Sequence, residues 1–357
     1  MAFFIVLVAA YSLTAIGVGV RAGGPLLVGF TDYLLCFSSA ILLVPVVVYG
    51  RSIGQDDRTI TARIADAVRV SRRRHLTNRA IAELAVSVVL IAMLMAAFNA
   101  FKFMLPRLHP FSWDARIEQA SRGMHGGRLP FELLLPVFGS DLATRALDIL
   151  YYAAWPVVLW AVFVWQVGGR SSLRDQYLLT YAAAWIVLGT FLAFLFSSAG
   201  PAYYGHLYGD PNPYAPLLNH LLEVHQRHPL LAIRIQRALW DAERAGIAAG
   251  GAGVSAMPSL HVAMAELCAI IGRRSERRTV AYSLTTFSVL TLLASIYLGA
   301  HYALDGYVSI IGVHVLWRGS GRLVKRYGTV DRASFAFSPA LARAIPEPAP
   351  RSVAEAP

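Results

Sequence analysis

Two histidines and one aspartate are the residues of this chain best placed for chemistry. His261 ends the sequence Met-Pro-Ser-Leu-His at 257–261, and His301 begins the sequence His-Tyr-Ala-Leu-Asp at 301–305. On a helix, His301 and Asp305 share one face because they are four residues apart. A carboxylate there can fix the tautomer of the imidazole and stabilise its cation, which leaves the other ring nitrogen free to attack. A structural hydrogen bond that ties two helices explains the same pair.

His261 adds a second group that can move protons. Pro258 and Ser259 suit the start of a helix, where proline fits the first turn and serine caps the free amides. A helix start carries a partial positive charge and is a natural seat for phosphate. A histidine there can protonate a leaving alkoxide and later deprotonate an acceptor, although a histidine turned to interfacial water also fits. Together the two motifs predict nucleophilic phosphoryl chemistry on a lipid.

The composition predicts an all-α membrane protein. Of the 357 residues, 56% are hydrophobic and only 15% are charged, which is more apolar than a soluble domain of this size. Several apolar runs reach the roughly 20 residues that a helix needs to cross a bilayer. We therefore expect a polytopic transmembrane helical bundle with about eight spans. The spans are predicted at 2–20, 27–49, 80–104, 146–167, 177–198, 257–272, 279–299 and 302–317.

The net charge of +11 predicts an orientation rather than a nucleic-acid partner. The basic residues cluster between apolar runs, at 51–79, 170–174, 273–278 and 318–326. With eight spans, all four clusters fall on one side, which is cytoplasmic by the positive-inside rule. Both termini are then cytoplasmic, and both histidine motifs lie on the extracytoplasmic face. The high alanine and arginine content suggests a bacterial inner (cell) membrane.

The chain divides into three predicted regions. Residues 1–79 are expected to hold two N-terminal transmembrane helices and a basic cytoplasmic loop. Residues 80–320 are expected to form the catalytic core, and residues 321–357 a disordered cytoplasmic tail rich in alanine and proline. Between spans, 217–240 has the apolar periodicity of one amphipathic, interfacial helix. The apolar segment 129–138 is too short to cross the membrane and is expected to be re-entrant or interfacial.

The two histidine motifs carry a family resemblance. Segment 257–261 resembles the second motif of the type 2 phosphatidic acid phosphatase superfamily, and segment 301–305 resembles its third. The resemblance implies a six-helix transmembrane core and a phosphohistidine intermediate formed without metal or cofactor. It implies that His301 is the nucleophile, Asp305 its orienting carboxylate, His261 the general acid and base, and Ser259 a phosphate ligand. The chain is most similar to the inositol phosphorylceramide synthase (aureobasidin target) branch, at segments 198–202, 256–261 and 297–302.

The chain also departs from the phosphatase pattern. That pattern has glycine where this chain has Leu260, and arginine where this chain has Ser295. In its first motif a lysine precedes an Arg-Pro by seven residues, whereas Lys102 precedes His109-Pro110. With two cations missing, a phosphodiester with one negative charge is favoured over a monoester dianion. The residues expected to contact substrate or phosphate are Ser259, Lys102, Ser295, Arg107 and Tyr302, with Arg116 and Asp114 as weaker candidates.

Other polar and aromatic residues have structural explanations that require no chemistry. Lys102 is as readily explained by a side chain that extends to the interface. The histidines at 220, 225 and 228 with Glu223 do not share one helical face, so no metal site is predicted. The tryptophans at 155, 160, 165 and 185 are assigned to interfacial belts and packing.

The predicted function is transfer of a phospho-headgroup from a glycerophospholipid to a lipid hydroxyl, as in sphingolipid synthesis. Membrane lipids are therefore the expected donor and acceptor, and the sequence leaves the oligomeric state open. A lipid phosphatase acting on phosphatidate or a polyprenyl phosphate remains an alternative. A transporter with a His-Asp proton relay is an alternative of another class, but the sequence has no matched, interrupted repeats.

Overall fold

The computed structural model describes residues 2–22, 29–38, 78–167, 172–248, 251 and 253–327. These residues form helices and connecting turns without a β-strand. Five helices are long and apolar enough to cross a membrane, namely Ala2–Arg21, Ala85–Leu108, Asp141–Val167, Ser172–Leu195 and Arg278–Tyr297. The predicted all-α membrane bundle is therefore confirmed.

The elements are numbered in chain order. The first part of the chain forms α1 (Ala2–Ala22), α2 (30–38), α3 (Asn78–Leu108), α4 (Asp114–Met124), α5 (Pro130–Phe138), α6 (Asp141–Val167) and α7 (Ser172–Leu195). The second part forms α8 (Tyr204–Tyr208), α9 (Ala215–Arg227), α10 (Leu231–Ala245), α11 (Leu260–Arg273), α12 (Arg278–Tyr297) and α13 (Ala303–Tyr327).

Two long helices each contain a stretch wound as a π-helix. In α6 the stretch is Leu150–Ala154, which ends two residues before Pro156, and in α7 it is Ala184–Leu192. Proline lacks an amide hydrogen and its ring crowds the preceding turn. A locally wider turn is a common way to accommodate such a residue inside a membrane helix. A π-turn just before Pro156 thus accompanies this proline inside α6.

The centre of the bundle is α11, whose 14 residues are too few to cross a bilayer as an isolated helix. All but three of its residues are buried, and it packs on α6, α7, α12 and α13. An apolar helix surrounded on every side belongs to the inside of a bundle. Ser259 caps its start with the side-chain oxygen accepting from the Val262 amide, as the sequence predicted.

The ends of several helices meet near His261 and His301. The amide of Ser112, after α3, donates to the carbonyl of Ser197, after α7. The amide of Ser259 donates to the carbonyl of Asp305 in α13. This side of the bundle is called the histidine end. The opposite side, where α11 ends and α12 begins among Arg273, Arg274, Arg277 and Arg278, is called the arginine end.

Short helices cover the histidine end. α9 and α10 are separate helices because His228 is extended before Pro229, so the prediction of one continuous helix over 217–240 is wrong. A proline disfavours helical backbone at the preceding residue. α5 is a nine-residue helix over the segment predicted to be re-entrant or interfacial, and it packs against α12. Leu217, Leu221 and Leu230 are buried in the core of this layer.

Several predicted boundaries shift. α13 continues to Tyr327, beyond the predicted end of span eight at 317 and beyond the predicted core boundary at 320. Its polar residues, including Asp305 and His314, lie in a helix of 25 residues. The end of the second predicted span, most of the basic segment 51–79, Arg170 and the predicted tail beyond 327 lie outside the described residues.

Candidate active site

His261 is fixed by the start of α11 and by two aromatic side chains of α6. It is the second residue of α11, two residues after the capping Ser259. Its ring stacks on Tyr151 at a centroid distance of 4.4 Å and lies 4.3 Å from the ring of Trp155. The indole Nε1 of Trp155 donates to the carbonyl of His261 at 3.0 Å. The ring nitrogens of His261 make no hydrogen bond to the described residues, so both are left to the cavity.

His301 lies in the tight turn between α12 and α13. The carbonyl of Ser295 accepts from the amides of Ala300 and His301, which closes this turn. The His301 side chain is 7% exposed. Its Nδ1 is 2.8 Å from the carbonyl oxygen of Ala256 and 3.5 Å from Oδ2 of Asp305. Because both partners accept, Nδ1 carries the proton, and Nε2 retains a lone pair.

Asp305 is completely buried at the first turn of α13. Its Oδ2 accepts from the amide of Tyr302 at 2.9 Å, which fixes the carboxylate beside His301. Its Oδ1 has no hydrogen-bond partner among the described residues. A buried carboxylate with spare accepting capacity stabilises a positive charge on a neighbouring imidazole.

The two imidazoles face one cavity. Their ring centroids are 6.2 Å apart, and both rings line a cavity of about 470 Å³ together with Lys102. Side chains of α10, including Gln236 and Leu239, line the same cavity from the layer at the histidine end. This spacing leaves room for one phosphorus atom between a nucleophilic nitrogen and a proton donor.

The predicted phosphate-contacting residues are only partly brought together. Lys102 lines the cavity. Ser259 is fully buried and its hydroxyl caps α11, while the Ser295 hydroxyl donates to the Leu292 carbonyl. Neither side chain lines the cavity. Arg107 is exposed and lies over the ring of Phe103, with 3.8 Å from Cζ to the centroid.

Tyr302 takes part in a second, buried network centred on Asp114. The Tyr302 hydroxyl donates to Oδ1 of Asp114 at 2.8 Å. The amides of Ala199 and Gly200 donate to the same carboxylate. Burial raises the pKa of Asp114, and these donors oppose the increase. Asp114 therefore ties the loop after α7, whose Ala199 lines the cavity, to the residue that follows His301.

Glu243 of α10 lies near Lys102, which lines the cavity. Burial raises the pKa of the Glu243 carboxyl, and the charges of Arg107 and Lys102 oppose this increase. Among the lysine and arginine side chains of the described residues, Lys102 is the one that lines the cavity.

The candidate metal residues at 220–228 are separated by their contacts. Each histidine has its own partner, and the partners are the Tyr297 hydroxyl for His220, the Leu230 amide for His225 and the Asp141 carboxylate for His228. No group of three or more potential ligands occurs among the described residues. Arg116, a weaker candidate, lies over the ring of Trp113 at 5.1 Å.

The sequence interpretation missed the aromatic surroundings of His261. Trp155, Trp160 and Trp185, which were assigned to belts and packing, line the cavity, whereas Trp165 does not. The spacing of Tyr151 and Trp155 was a readable signal, since residues four apart share one helical face. The accepting carbonyl of Ala256 left no signal, because a backbone contact does not depend on the side chain.

The fold and the cavity define a helical membrane protein in which two histidines face a common pocket at the ends of several helices. A family model described as the PAP2 superfamily matches residues 129–318, a little more than half of the chain. The chain therefore belongs to the PAP2 superfamily, whose members are phosphatases or phosphotransferases. No curated protein matches the chain, and no solved structure matches it either.

Proposed function

We propose that the chain is a lipid phosphotransferase in which His301 is the nucleophile and His261 the general acid and base. The observation that carries this proposal is the pair of imidazoles, 6.2 Å apart in one cavity, with Nδ1 of His301 bonded away from it. Nε2 of His301 is thereby the nitrogen available for attack. The family match supports phosphoryl chemistry at such a pair.

The first half-reaction forms a bond from Nε2 of His301 to the phosphorus of a glycerophospholipid. The bond from phosphorus to the diacylglycerol oxygen breaks, and protonated His261 gives its proton to that oxygen. The headgroup phosphate remains on His301. The imidazole of this intermediate is cationic, and the Ala256 carbonyl and the Asp305 carboxylate stabilise it through Nδ1–H.

In the second half-reaction, neutral His261 takes the proton from the hydroxyl of an acceptor lipid. The acceptor oxygen attacks phosphorus, the bond to Nε2 breaks, and the headgroup phosphate leaves on the acceptor. Lys102 and the amides at the start of α11 stabilise the negative charge at phosphorus. The cycle ends with both histidines in their starting protonation states.

The charge of the cavity favours a phosphodiester substrate. Lys102 is the cationic side chain on the cavity wall within the described ranges. A monoester dianion carries one more negative charge than a phosphodiester and needs more cations to offset its burial. We therefore favour headgroup transfer, in the manner of inositol phosphorylceramide synthases, over monoester hydrolysis. We further propose that the histidine end is extracytoplasmic, in a bacterial cell membrane.

The test is a reconstituted assay with a donor glycerophospholipid whose phosphate is isotopically labelled and a lipid alcohol as acceptor. We expect a new labelled phosphodiester lipid, labelled protein after acid-free quenching, and little inorganic phosphate. His301→Ala should abolish all three signals. Release of inorganic phosphate from phosphatidate or a polyprenyl phosphate as the main reaction would instead establish a lipid phosphatase. Flux of a solute without labelled protein would establish a transporter.

A further inference from the structure

The cavity continues from the histidines toward the arginine end as an apolar shaft. On α6 its wall runs from Tyr151 to Phe163, and on α3 from Lys102 to Ile91. These stretches cover thirteen and twelve residues, which are twelve and eleven helical steps, so the shaft is about 18 Å deep at the α-helical rise. The wall residues on α6 recur every four positions, as adjacent pairs at 151–152, 155–156 and 159–160 followed by Phe163, as one face of a helix requires.

Four helices surround the shaft. Side chains of α2, α3, α6 and α7 meet in pairs around it, so each wall helix contacts the next within the ring. Three contacts are between aromatic rings and one is a hydrogen bond. The contacts are Phe37 with Trp160 at 4.5 Å, Phe163 with Tyr181 at 5.9 Å, Phe98 with Trp185 at 4.8 Å, and Asn99 with the Tyr33 hydroxyl.

The deepest wall residues form a packed floor. Ile91, Phe163 and Tyr181 come from three different helices and are 1%, 3% and 7% exposed. All three belong to the main apolar core of the bundle. The shaft is therefore polar at the histidines and closed at its apolar end.

We propose that this shaft holds one hydrocarbon chain of the phosphate-bearing lipid and that its floor limits the length of that chain. The inference rests on the proposed function in placing the phosphate at His261 and His301. The depth of about 18 Å is close to one leaflet, half of a hydrocarbon core of about 30 Å. A chain in the shaft thus has its phosphate at the cavity and its end at the floor.

Two walls of the shaft lie outside the residues that match the family model. α2 and α3 precede residue 129, where the match begins. The histidines, Ala256 and α6 lie within the match. The chain selection proposed here thus depends on helices that the shared catalytic region does not contain.

Selection by the shaft works through exclusion. A lipid chain that moves from the bilayer into an apolar shaft gains little hydrophobic free energy, because both surroundings are equally apolar. A chain that is too long must instead displace the packed floor. Misfits of a single methylene in apolar pockets change rates by about tenfold or more. We expect discrimination of that size against chains longer than the shaft.

The test uses an alkylphosphocholine with a diazirine at the end of a leaflet-length chain. It is photolysed with full-length His301→Ala protein in nanodiscs, and labelled peptides are identified by mass spectrometry. We expect labels on the floor residues of α3, α6 and α7. Leu159→Trp, which fills the shaft from α6, should reduce this labelling at least about tenfold.

Val157→Trp is the matched control, because Val157 is 65% exposed on the same helix and does not line the shaft. It should leave the labelling unchanged. Met95→Trp fills the shaft from α3 and serves if Leu159→Trp does not fold. Two outcomes would overturn the proposal. One is labelling confined to outward-facing residues, and the other is floor labelling in both shaft-filling variants that equals the labelling in the His301→Ala protein without a filled shaft.

The shaft and the proposed function fail separately in this design. Floor labelling without transfer or hydrolysis in the wild-type assay would support the shaft and reject the proposed function. Headgroup transfer with equal rates for all chain lengths, and no floor labelling, would support the function and reject the shaft.

Discussion

Polar side chains gather at two places in the bundle, and α11 contributes to both. At its start, His261 and His301 turn ring nitrogens toward a cavity. Further along, Glu266 accepts from Ser288 of α12 at 2.7 Å and from Arg273 at 2.6 Å, and lies 3.1 Å from Nε2 of His314 in α13.

The two places differ in how completely their polar groups are paired. Glu266 is 8% exposed and connects three helices through both carboxylate oxygens. Such a paired carboxylate fastens helices together. The two catalytic candidates keep nitrogens without partners in the described structure, and those nitrogens face open space. The comparison separates the histidines proposed to act in catalysis from His314, which joins helices through Glu266, although all lie in the same membrane bundle.

The largest expected effect is that of His301→Ala. The variant lacks the proposed nucleophile, so turnover should fall by about 10⁴-fold or more. His314→Ala is the matched control, because it removes a membrane histidine from the Glu266 cluster and leaves the cavity intact. The comparison of turnover in detergent, normalised to folded protein, checks this. Equal losses in both variants would remove the distinction between the two regions.

His261→Ala should follow with a loss of about 10²- to 10⁴-fold, the usual contribution of a general acid or base. A phenolic leaving group departs as phenolate without needing a proton. With a phenolic donor, the initial burst of phenol release should therefore be much less impaired in this variant. A loss that is the same for alkyl and phenolic donors would show that His261 positions the substrate and transfers no proton.

Asp305→Asn should have a smaller effect on turnover, about 10- to 100-fold. The Ala256 carbonyl still accepts from Nδ1 of His301 at 2.8 Å, closer than Asp305 at 3.5 Å. The loss should therefore come from weaker stabilisation of the cationic intermediate. Pre-steady-state labelling of the protein measures it, and less phosphoenzyme at unchanged donor affinity is the expected result. Unchanged phosphoenzyme would leave Asp305 with a structural role.

Glu266→Ala should leave turnover per folded molecule within about threefold but lower the free energy of unfolding by about 2 kcal/mol. Ser288, Arg273 and His314 lose their shared acceptor in this variant. Thermal unfolding in detergent checks stability, with Glu266→Gln as a control that keeps one accepting oxygen and should be less affected. A large loss of activity in well-folded Glu266→Gln would mean that the cluster acts in the reaction.

The sequence predicted the helical bundle and the catalytic candidates because their signals are local. The cap at Ser259 and the four-residue spacing of His301 and Asp305 are properties of short segments. The break at Pro229 was also visible in the sequence, but the apolar periodicity on both sides of it concealed the interruption. Local patterns therefore sufficed where neighbouring residues set the geometry.

The cavity and the Glu266 cluster required the register between helices, which no single segment contains. Leu260 is an example, since it replaces the glycine of the phosphatase pattern. Its side chain fits because Gly189 of α7 lies opposite: a Cβ at Gly189 would be 2.6 Å from Cδ1 of Leu260. The two positions compensate each other across helices, and this pairing becomes visible only when the helices are packed.

The π-turn at Leu150–Ala154 sets the phase between the two halves of α6. It lies between the start of the helix and the stretch that carries Leu159 and Phe163 down the shaft. Deleting one residue of this turn would rotate the later half by about 100° relative to the earlier one. Tyr151 and the earlier half would keep their place, whereas the lower wall of the shaft would swing toward the surrounding lipid. The length of a single helical turn thus couples the proposed phosphate site at the histidines to the shaft proposed to hold the lipid chain.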